Sequence, residues 1–537
     1  MHLSNVSLRI TVLSVFVLAF LGLCSKAEGQ AQEARGEIRV VESFRPDINV
    51  LGHNVLQYLY EYALDRNELV PCLAVSRRWI DDTTLELKLR EGVRFHNGEP
   101  FDAGAVKFNF EYQREHSHGR GVQAYMRHLK EVQILDPYTF RMILSEPDAL
   151  FLDKIILGPI AGWAIGAPRY MEQVGWDEFL KRPIGTGPYV VEGEVKDYMK
   201  VGEDEVYATL VANSAYWNRG YPKIRRVKFV QYTPKEALYA LMEERVDLVT
   251  SLIPKDTLRI AESPHSKVIK GREDAIYTAI WFNLMSPHTL PLRDMRVRKA
   301  LNYVINKEEL MRYAYKGNAL EMRGMLTEKS GVDLSETDPY EWNVSKAREL
   351  LQWAGYDEGL MMTLFYQEKD YLLARFIQRF YQQLKIDVDI IPVQWEWFVR
   401  HQAFPNIRED YSWEDEDWWM CVSSNPSYIP EIMGGLLEWN FHSGAAWQTV
   451  PDWLMLPLNR MYNELLRTTD KDKRFHIYKK ANEYIADQAL SVFTVTPLGL
   501  YGINKELNFI PHPSQYLYLD YSSVTDRHWS IEKRTTE

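Results

Sequence analysis

A chain of 537 residues, 46% hydrophobic and 26% charged, is long enough for more than one core and too apolar for a disordered or fibrous protein. A net charge of −11 without a basic run argues against nucleic-acid binding, because phosphate affinity needs clustered Lys and Arg. In chain order, a short polar start carrying Arg9 leads into an uncharged apolar run from Ile10 to Leu23. That run is shorter than the ~20 residues of a membrane span and fits the apolar core of a secretory signal. Residues 1–27 are therefore expected to be a signal peptide, with small residues at Ser25 and Ala27 for cleavage. Cys24 offers lipid attachment as a second route, against which stands the bulky Leu23. Either route implies a periplasmic location.

Past this leader, Glu37–Val41 reads as a strand. Residues 54–64 carry Val55, Leu56, Leu59, Tyr60 and Ala63 at helical spacing and predict a helix. Leu85–Leu89 alternates apolar and charged residues as a half-buried strand does, and Asn97-Gly98 marks a tight turn. Asp102 is placed to cap a helix over Ala103–Arg114. Val132–Leu135 and Thr139–Leu144 read as strand, turn, strand, and Pro183–Tyr189 as a rigid loop with two glycines. Tyr207–Ala212 and Arg226–Tyr232 are expected strands, followed by a helix over Lys235–Glu244 and a strand over Val246–Thr250. The second half is richer in helix: Arg296–Tyr303, Lys307–Tyr315, Ser345–Ala354 with a serine cap and Gly355 at its end, Tyr371–Leu384, Trp453–Leu466 and Asp472–Asp487. Strands are expected at Met361–Tyr366, Val388–Val393 and Leu490–Val495. Of the three cysteines, Cys72 and Cys421 remain once Cys24 leaves with the signal, either as one disulfide or as two buried thiols.

Several phrases in this α/β sequence resemble the dipeptide-, oligopeptide- and nickel-binding group (family 5) of solute-binding proteins that serve ABC importers. Leu69-Val70-Pro71-Cys72-Leu73-Ala74 with Trp79 is similar to its L-x-P-x-L-A phrase, and Leu85 to Phe101 to its F-x-L-R-x-G-V-x-F-H-x-G-x-P phrase. Pro183–Tyr189 is similar to P-x-G-T-G-P-Y, and Leu210–Trp217 and Val246-Asp247 to the strand and turn that follow it. Asp294–Tyr303 and Lys346–Tyr356 resemble two later segments. Each phrase alone is weak; their common order over about four hundred residues, 37 to 513, is what carries the resemblance.

The resemblance implies a periplasmic-binding-protein-like, two-lobed α/β fold of type II with an extra domain, its ligand held between the lobes. Mapped onto this chain, lobe I takes residues 36–75, 184–281 and 500–537, the extra domain 76–183, and lobe II 282–499. The crossings between lobes then fall near Trp281-Phe282 and Leu498–Leu500. The implied partners are a small-molecule ligand and the permease subunits of an importer, with the protein itself a monomer. The chemistry is binding by hinge closure, not catalysis.

No catalytic motif contests that reading: there is no G-x-S-x-G, H-E-x-x-H, Walker loop or G-x-G-x-x-G after a strand. His116-Ser117-His118 is too small a set for a metal, and no metal or cofactor is expected. In peptide-binding relatives an aspartate four residues before a proline holds the ligand's amino group; counting back from Pro426 gives Val422. Asp415 and Asp417 are nearby acids that a shifted loop would bring into that role. They stand among Trp413, Trp418 and Trp419, with Trp395, Trp397, Trp439 and Trp447 close in sequence. Aromatic walls with a few acids suit a sugar, so an oligosaccharide joins peptides and nickel complexes as a candidate ligand. The resemblance also implies that residues just after the first strand, here Glu42, Ser43 and Phe44, touch ligand. The candidate contacts are thus Glu42, Ser43, Phe44, Trp395, Trp397, Asp415, Asp417, Trp418, Trp419 and Trp439. The alternative from another class is a glycan-acting enzyme, which needs two acids flanking one bond; a run of consecutive acids does not supply that geometry.

Overall fold

The structure is a computed structural model that describes residues 33–42, 50–64, 69–116, 126, 128–152, 164–250, 252–271, 276–327, 330–338, 340–394, 397, 400–401, 412–426, 436–437, 440–441, 448–512 and 516–535. The expected signal peptide and its cleavage sites lie outside them. The first strand, Arg35–Val41, buries Ile38 and Val40 on one face, as its alternating sequence requires. It lies inside a seven-stranded sheet, in the order Ser266–Lys270, Leu500–Asn504, Leu248–Val249, Arg35–Val41, Ile224–Val230, Val206–Ala212 and Tyr189–Val191. A five-stranded sheet holds Ile386–Pro392, Leu360–Tyr366, Met420–Pro426, Ile276–Phe282 and Ser491–Phe493 in that order. A third, antiparallel sheet is built from Ala74–Asp81, Thr84–Leu89, Thr139–Leu144 and Leu129–Asp136. Its alternation is the one read from sequence: Leu85, Leu87 and Leu89 point into the core, beneath a helix Ala103–His116 whose first turn is capped by the Asp102 carboxylate.

Two large cores result. One is shared by the seven-stranded sheet and the four-stranded domain, running from Ile38 through Leu85 and Phe140 to Leu519. The other belongs to the five-stranded sheet and its helices, from Ala279 to Val495. Trp281 is buried in that second core, and Ile276–Phe282 pairs along its whole length with Met420–Pro426. The passage between the sheets therefore lies before this strand, between Lys270 and Ile276, and not at Trp281-Phe282. The second passage lies between Pro497 and Leu500.

Residues 54–64 do not form the predicted helix. The Val55 and Asn54 carbonyls accept from Gly187 N (2.9 Å) and Tyr189 N (2.8 Å), so the chain here serves the glycine loop, and Tyr60–Tyr62 then pairs with Leu69–Pro71. The helix expected from Ser345 spans Val344–Ala354 and is capped by Asn343, whose side chain takes the Lys346 N–H at 2.9 Å; Gly355 ends it in the left-handed conformation, φ 85°. Cys72 and Cys421 are buried free thiols in different cores. No helix among the described residues is long and apolar enough to cross a membrane.

Candidate functional site

Strand direction locates the site. In the first sheet, Arg35–Val41 runs parallel to Ile224–Val230 and Leu248–Val249. Leu500–Asn504 is antiparallel both to Leu248–Val249 and to Ser266–Lys270, so the last of these also runs with the first strand. Tyr189–Val191, antiparallel to Val206–Ala212, runs the same way, so five carboxyl ends point toward one edge. The chain leaves this edge at Lys270 for the second sheet and returns to it at Leu500. In the second sheet, Leu360–Tyr366 runs parallel to Ile386–Pro392 and Met420–Pro426, and Ser491–Phe493 is antiparallel to the arriving strand Ile276–Phe282. The carboxyl ends of these four strands point back toward the crossings. In open α/β sheets ligands bind outside the carboxyl ends of the strands, and here two such edges face each other.

The two crossings are bonded to one another: Gly271 N donates to Gly499 O at 2.7 Å. A Cβ on Gly271 would come within 3.2 Å of the Tyr501 ring, so glycine suits this close approach. Leu252 N donates to Leu500 O and Leu498 N to Asn318 O, tying the two ends of the second crossing into the first and second lobes.

At the first edge, Glu42 follows the first strand and is 1% exposed. Burial first, and then the charge of Glu42, raise the phenol of Tyr501, and the same two causes act on Tyr198, where a hydrogen bond with Gln231 opposes them. Val41 O accepts from Thr250 N, joining the ends of two parallel strands. This grouping of Glu42 with Tyr198, Gln231 and Tyr501 combines segments far apart in sequence, and only Glu42 was anticipated. Across the gap Leu360–Tyr366 ends in Tyr366 and Met420–Pro426 runs on to Pro426; Tyr366 and Ser423 are both buried. Val422, four residues before Pro426, is core.

The glycine loop lies at the opposite, amino edge of the first sheet, where it leads into Tyr189–Val191 level with the start of the first strand. Gly185 N donates to His96 Nδ1 (3.3 Å), which leaves the proton on Nε2 to be donated to Gly187 O (3.0 Å). His96 N donates in turn to Gly185 O. Thr186 Oγ1 and Trp217 Nε1 both donate to Gln57 Oε1, at 3.1 and 2.8 Å. Three of the phrases noted in the sequence, around His96, Gly185 and Trp217, are thus partners in one network. Burial lowers the His96 pKa to about 4, against a smaller raising effect of the Gly187 carbonyl. The unfolded chain, near 6.5, then binds more protons between those values, so the stability of the neutral ring is complete above pH ~6.5 and is lost as pH falls toward 4. A urea midpoint measured from pH 7 to 4 is expected to fall by the equivalent of about 2–3 kcal/mol, and His96→Gln to flatten that slope.

The other sequence candidates are divided by the fold. Ser43, Phe44, Trp395 and Trp439 lie outside the described residues. Trp397 stacks on Phe365 at 4.4 Å and meets the edge of Trp418 at 6.0 Å. Trp418 is 1% exposed, and Trp397 and Trp419 are half-buried against the same core. Asp415 and Asp417 are exposed, while Glu416 between them is buried and pairs with His401 at 3.0 Å. Asp415 to Trp419 precede Met420–Pro426, so they stand at its amino end, where Met420 pairs with Phe282. Met420 and Cys421 also pair with Leu364 and Phe365, so this amino end lies beside the carboxyl end of Leu360–Tyr366. Trp397, Trp418 and Trp419 therefore lie together beside the carboxyl ends of Leu360–Tyr366 and Ile386–Pro392, with the exposed Asp415 and Asp417 next to them in sequence. His116 bonds the Tyr112 carbonyl at 2.9 Å and stacks on the Tyr112 ring, and no group of metal-holding side chains occurs among the described residues.

Two α/β lobes whose strand ends face across a pair of crossing segments define a two-lobed solute-binding protein. Residues 68–447 match the bacterial extracellular solute-binding proteins, family 5 (middle), and the chain belongs to that family. Among curated relatives, the glutathione-binding protein GsiB of Salmonella paratyphi A is 28% identical over 342 residues, 63% of each chain; the match thus spans under two thirds of that relative's length. Among solved structures, the periplasmic binding protein DppA of Helicobacter pylori in complex with the peptide STSA superposes with a TM-score of 0.73 at 21% identity, over 92% of this chain and 99% of that one. NikA of Brucella suis in complex with Fe(III)-EDTA gives 0.74 at 18% identity, over 91% and 100%. At these identities the structures establish the shared fold.

Proposed function

We propose that this protein is the solute-binding component of an ABC importer, a non-catalytic receptor that closes over a small peptide-like ligand and delivers it to the permease. The observation that carries this reading is the facing pair of carboxyl-terminal strand edges, joined by two thin crossings that meet at Gly271 and Gly499. Ligand contacting both edges favours the closed arrangement, and the free energy of those contacts shifts the population. No bond is made or broken, so no catalytic group is needed.

A peptide-like solute is favoured over a sugar for two reasons. The relative GsiB is named for binding glutathione and the DppA structure holds a peptide. In the Trp-and-acid cluster, which motivated a sugar, Trp418 is buried in the core and offers no open face to a sugar ring. With Val422 buried where an aspartate would meet a peptide's amino group, Glu42 is the acid best placed to take that role from the other lobe. The family description as extracellular agrees with export to the periplasm, and Cys24 remains a second, lipid-anchored route.

The test is a thermal-shift panel of glutathione, di- to tetrapeptides, nickel–histidine and oligosaccharides. A ligand at about 100 times its Kd adds about 2.7 kcal/mol. Glutathione or a short peptide is expected to raise Tm, with the rise lost in Glu42→Gln. A rise with oligosaccharides alone contradicts the peptide-like assignment.

A further inference from the structure

The four-stranded domain shares its core with the first lobe, yet one of its turns reaches the second. Ala149 N donates to Leu466 O at 2.7 Å, at the end of the helix Asp452–Leu465, and Arg474 Nη1 of the helix Lys471–Asp487 donates to Ala149 O at 3.5 Å. Leu150 is 2% exposed and packs in the core of the second lobe, the single described residue of 76–183 that does so. Its neighbours Phe151 and Leu152 turn the other way, into the core of the first. Four consecutive residues thus bridge both lobes away from the crossing segments. The turn is preformed: the buried Asp148 accepts from Leu150 N at 3.2 Å with one oxygen and meets His128 Nδ1 at 3.0 Å with the other, while Phe151 N donates to Asp148 O.

We propose that the turn 148–150 is a latch, an apolar plug carried by the extra domain that seats between two helices of the second lobe and holds the lobes together. The inference rests on the reading of hinge closure given above. Moving the lobes apart must break the Ala149–Leu466 bond and expose Leu150, so the latch biases the ligand-free protein toward closure. It also gives the extra domain a part in closure without contact to ligand.

The test uses ligand-free protein, so it stands whether or not the ligand panel succeeds. Dyes are attached at the exposed positions of Met199→Cys and Met361→Cys, one on each lobe, while Cys72 and Cys421 stay buried. Fluorescence transfer then reads the open-to-closed ratio. Leu150→Ala is expected to raise that ratio at least about tenfold, since truncating a buried leucine typically costs more than the 1.4 kcal/mol that this factor represents. Leu150→Met, which keeps the plug, is expected to leave it near the parent's. In a second variant, Ala149→Cys with Leu466→Cys, the backbone contact places the two residues within disulfide reach. Oxidation is expected to abolish opening and reduction to restore it. An unchanged ratio in a folded Leu150→Ala, or opening that persists in the oxidised pair, overturns the proposal.

Discussion

Gly185→Ala is expected to unfold the protein or to lower its stability by on the order of 4 kcal/mol or more. A Cβ built on Gly185 would lie 2.1 Å from Val55 O and 2.9 Å from the Leu56 Cα, both of them backbone. Neither can retreat freely. Val55 O is held by Gly187 N and Asn54 O by Tyr189 N, and Gly185 itself is bonded on both sides to His96. The clash would be relieved only by parting the glycine loop from residues 54–57, which undoes the Gln57 network and frees the chain that follows Glu42. Gly187 is constrained in the same way, its Cβ falling 2.6 Å from Val55 O. A denaturant titration reads the effect, and a Gly185→Ala midpoint equal to the parent's would contradict the packing described. Gly220→Ala, where no atom lies within 4 Å of the new Cβ but φ is 88°, should cost far less, roughly 1–2 kcal/mol from backbone strain alone.

Asp247→Ala is expected to cost about 3–5 kcal/mol. Asp247 and His528 are both 0% exposed and lie 3.0 Å apart. One Asp247 oxygen also accepts from Trp529 Nε1 (2.8 Å) and Asn504 Nδ2 (3.2 Å), and the other from Arg39 N (2.9 Å). His528 Nδ1 continues to Ser530 Oγ, which accepts from Glu37 N. A single carboxylate therefore joins the first strand, the returning strand and the C-terminal helix Trp529–Thr535. Alanine would take this acceptor from the buried imidazole and from the half-buried Trp529 indole and Arg39 N–H groups, and a buried group left without its acceptor costs about 1–3 kcal/mol. Asp247→Asn keeps the shape and one acceptor and should cost less. If Asp247→Ala and Asp247→Asn unfold at the same denaturant concentration, the carboxylate does not hold this corner together.

Strands and helices with clean periodicity were legible in the sequence because burial writes its period directly: 2.0 in Leu85–Leu89, 3.6 in Met295–Tyr303. Residues 54–64 misled because the same spacing serves a segment whose carbonyls are used by the glycine loop, a partner 130 residues away. The cap of Val344–Ala354 shifted from Ser345 to Asn343 because serine and asparagine both cap and only geometry chooses between them. The site was legible in part. Glu42 at the end of the first strand is a local feature and was found. Tyr198, Gln231 and Tyr501 gather around it only through sheet order, which no local pattern encodes. The Trp-and-acid run was legible only as composition: that Trp418 is spent on the core and meets Trp397 is decided by packing between segments, which composition does not encode.

Small-angle scattering of the mature protein, with and without the compound of the panel that most raises Tm, tests the central claim most directly. Closure over a ligand held between the two strand edges predicts a smaller radius of gyration on saturation, and no change for Glu42→Gln at the same ligand concentration. A ligand that binds while the radius of gyration of the parent protein stays constant would contradict closure as the means of capture.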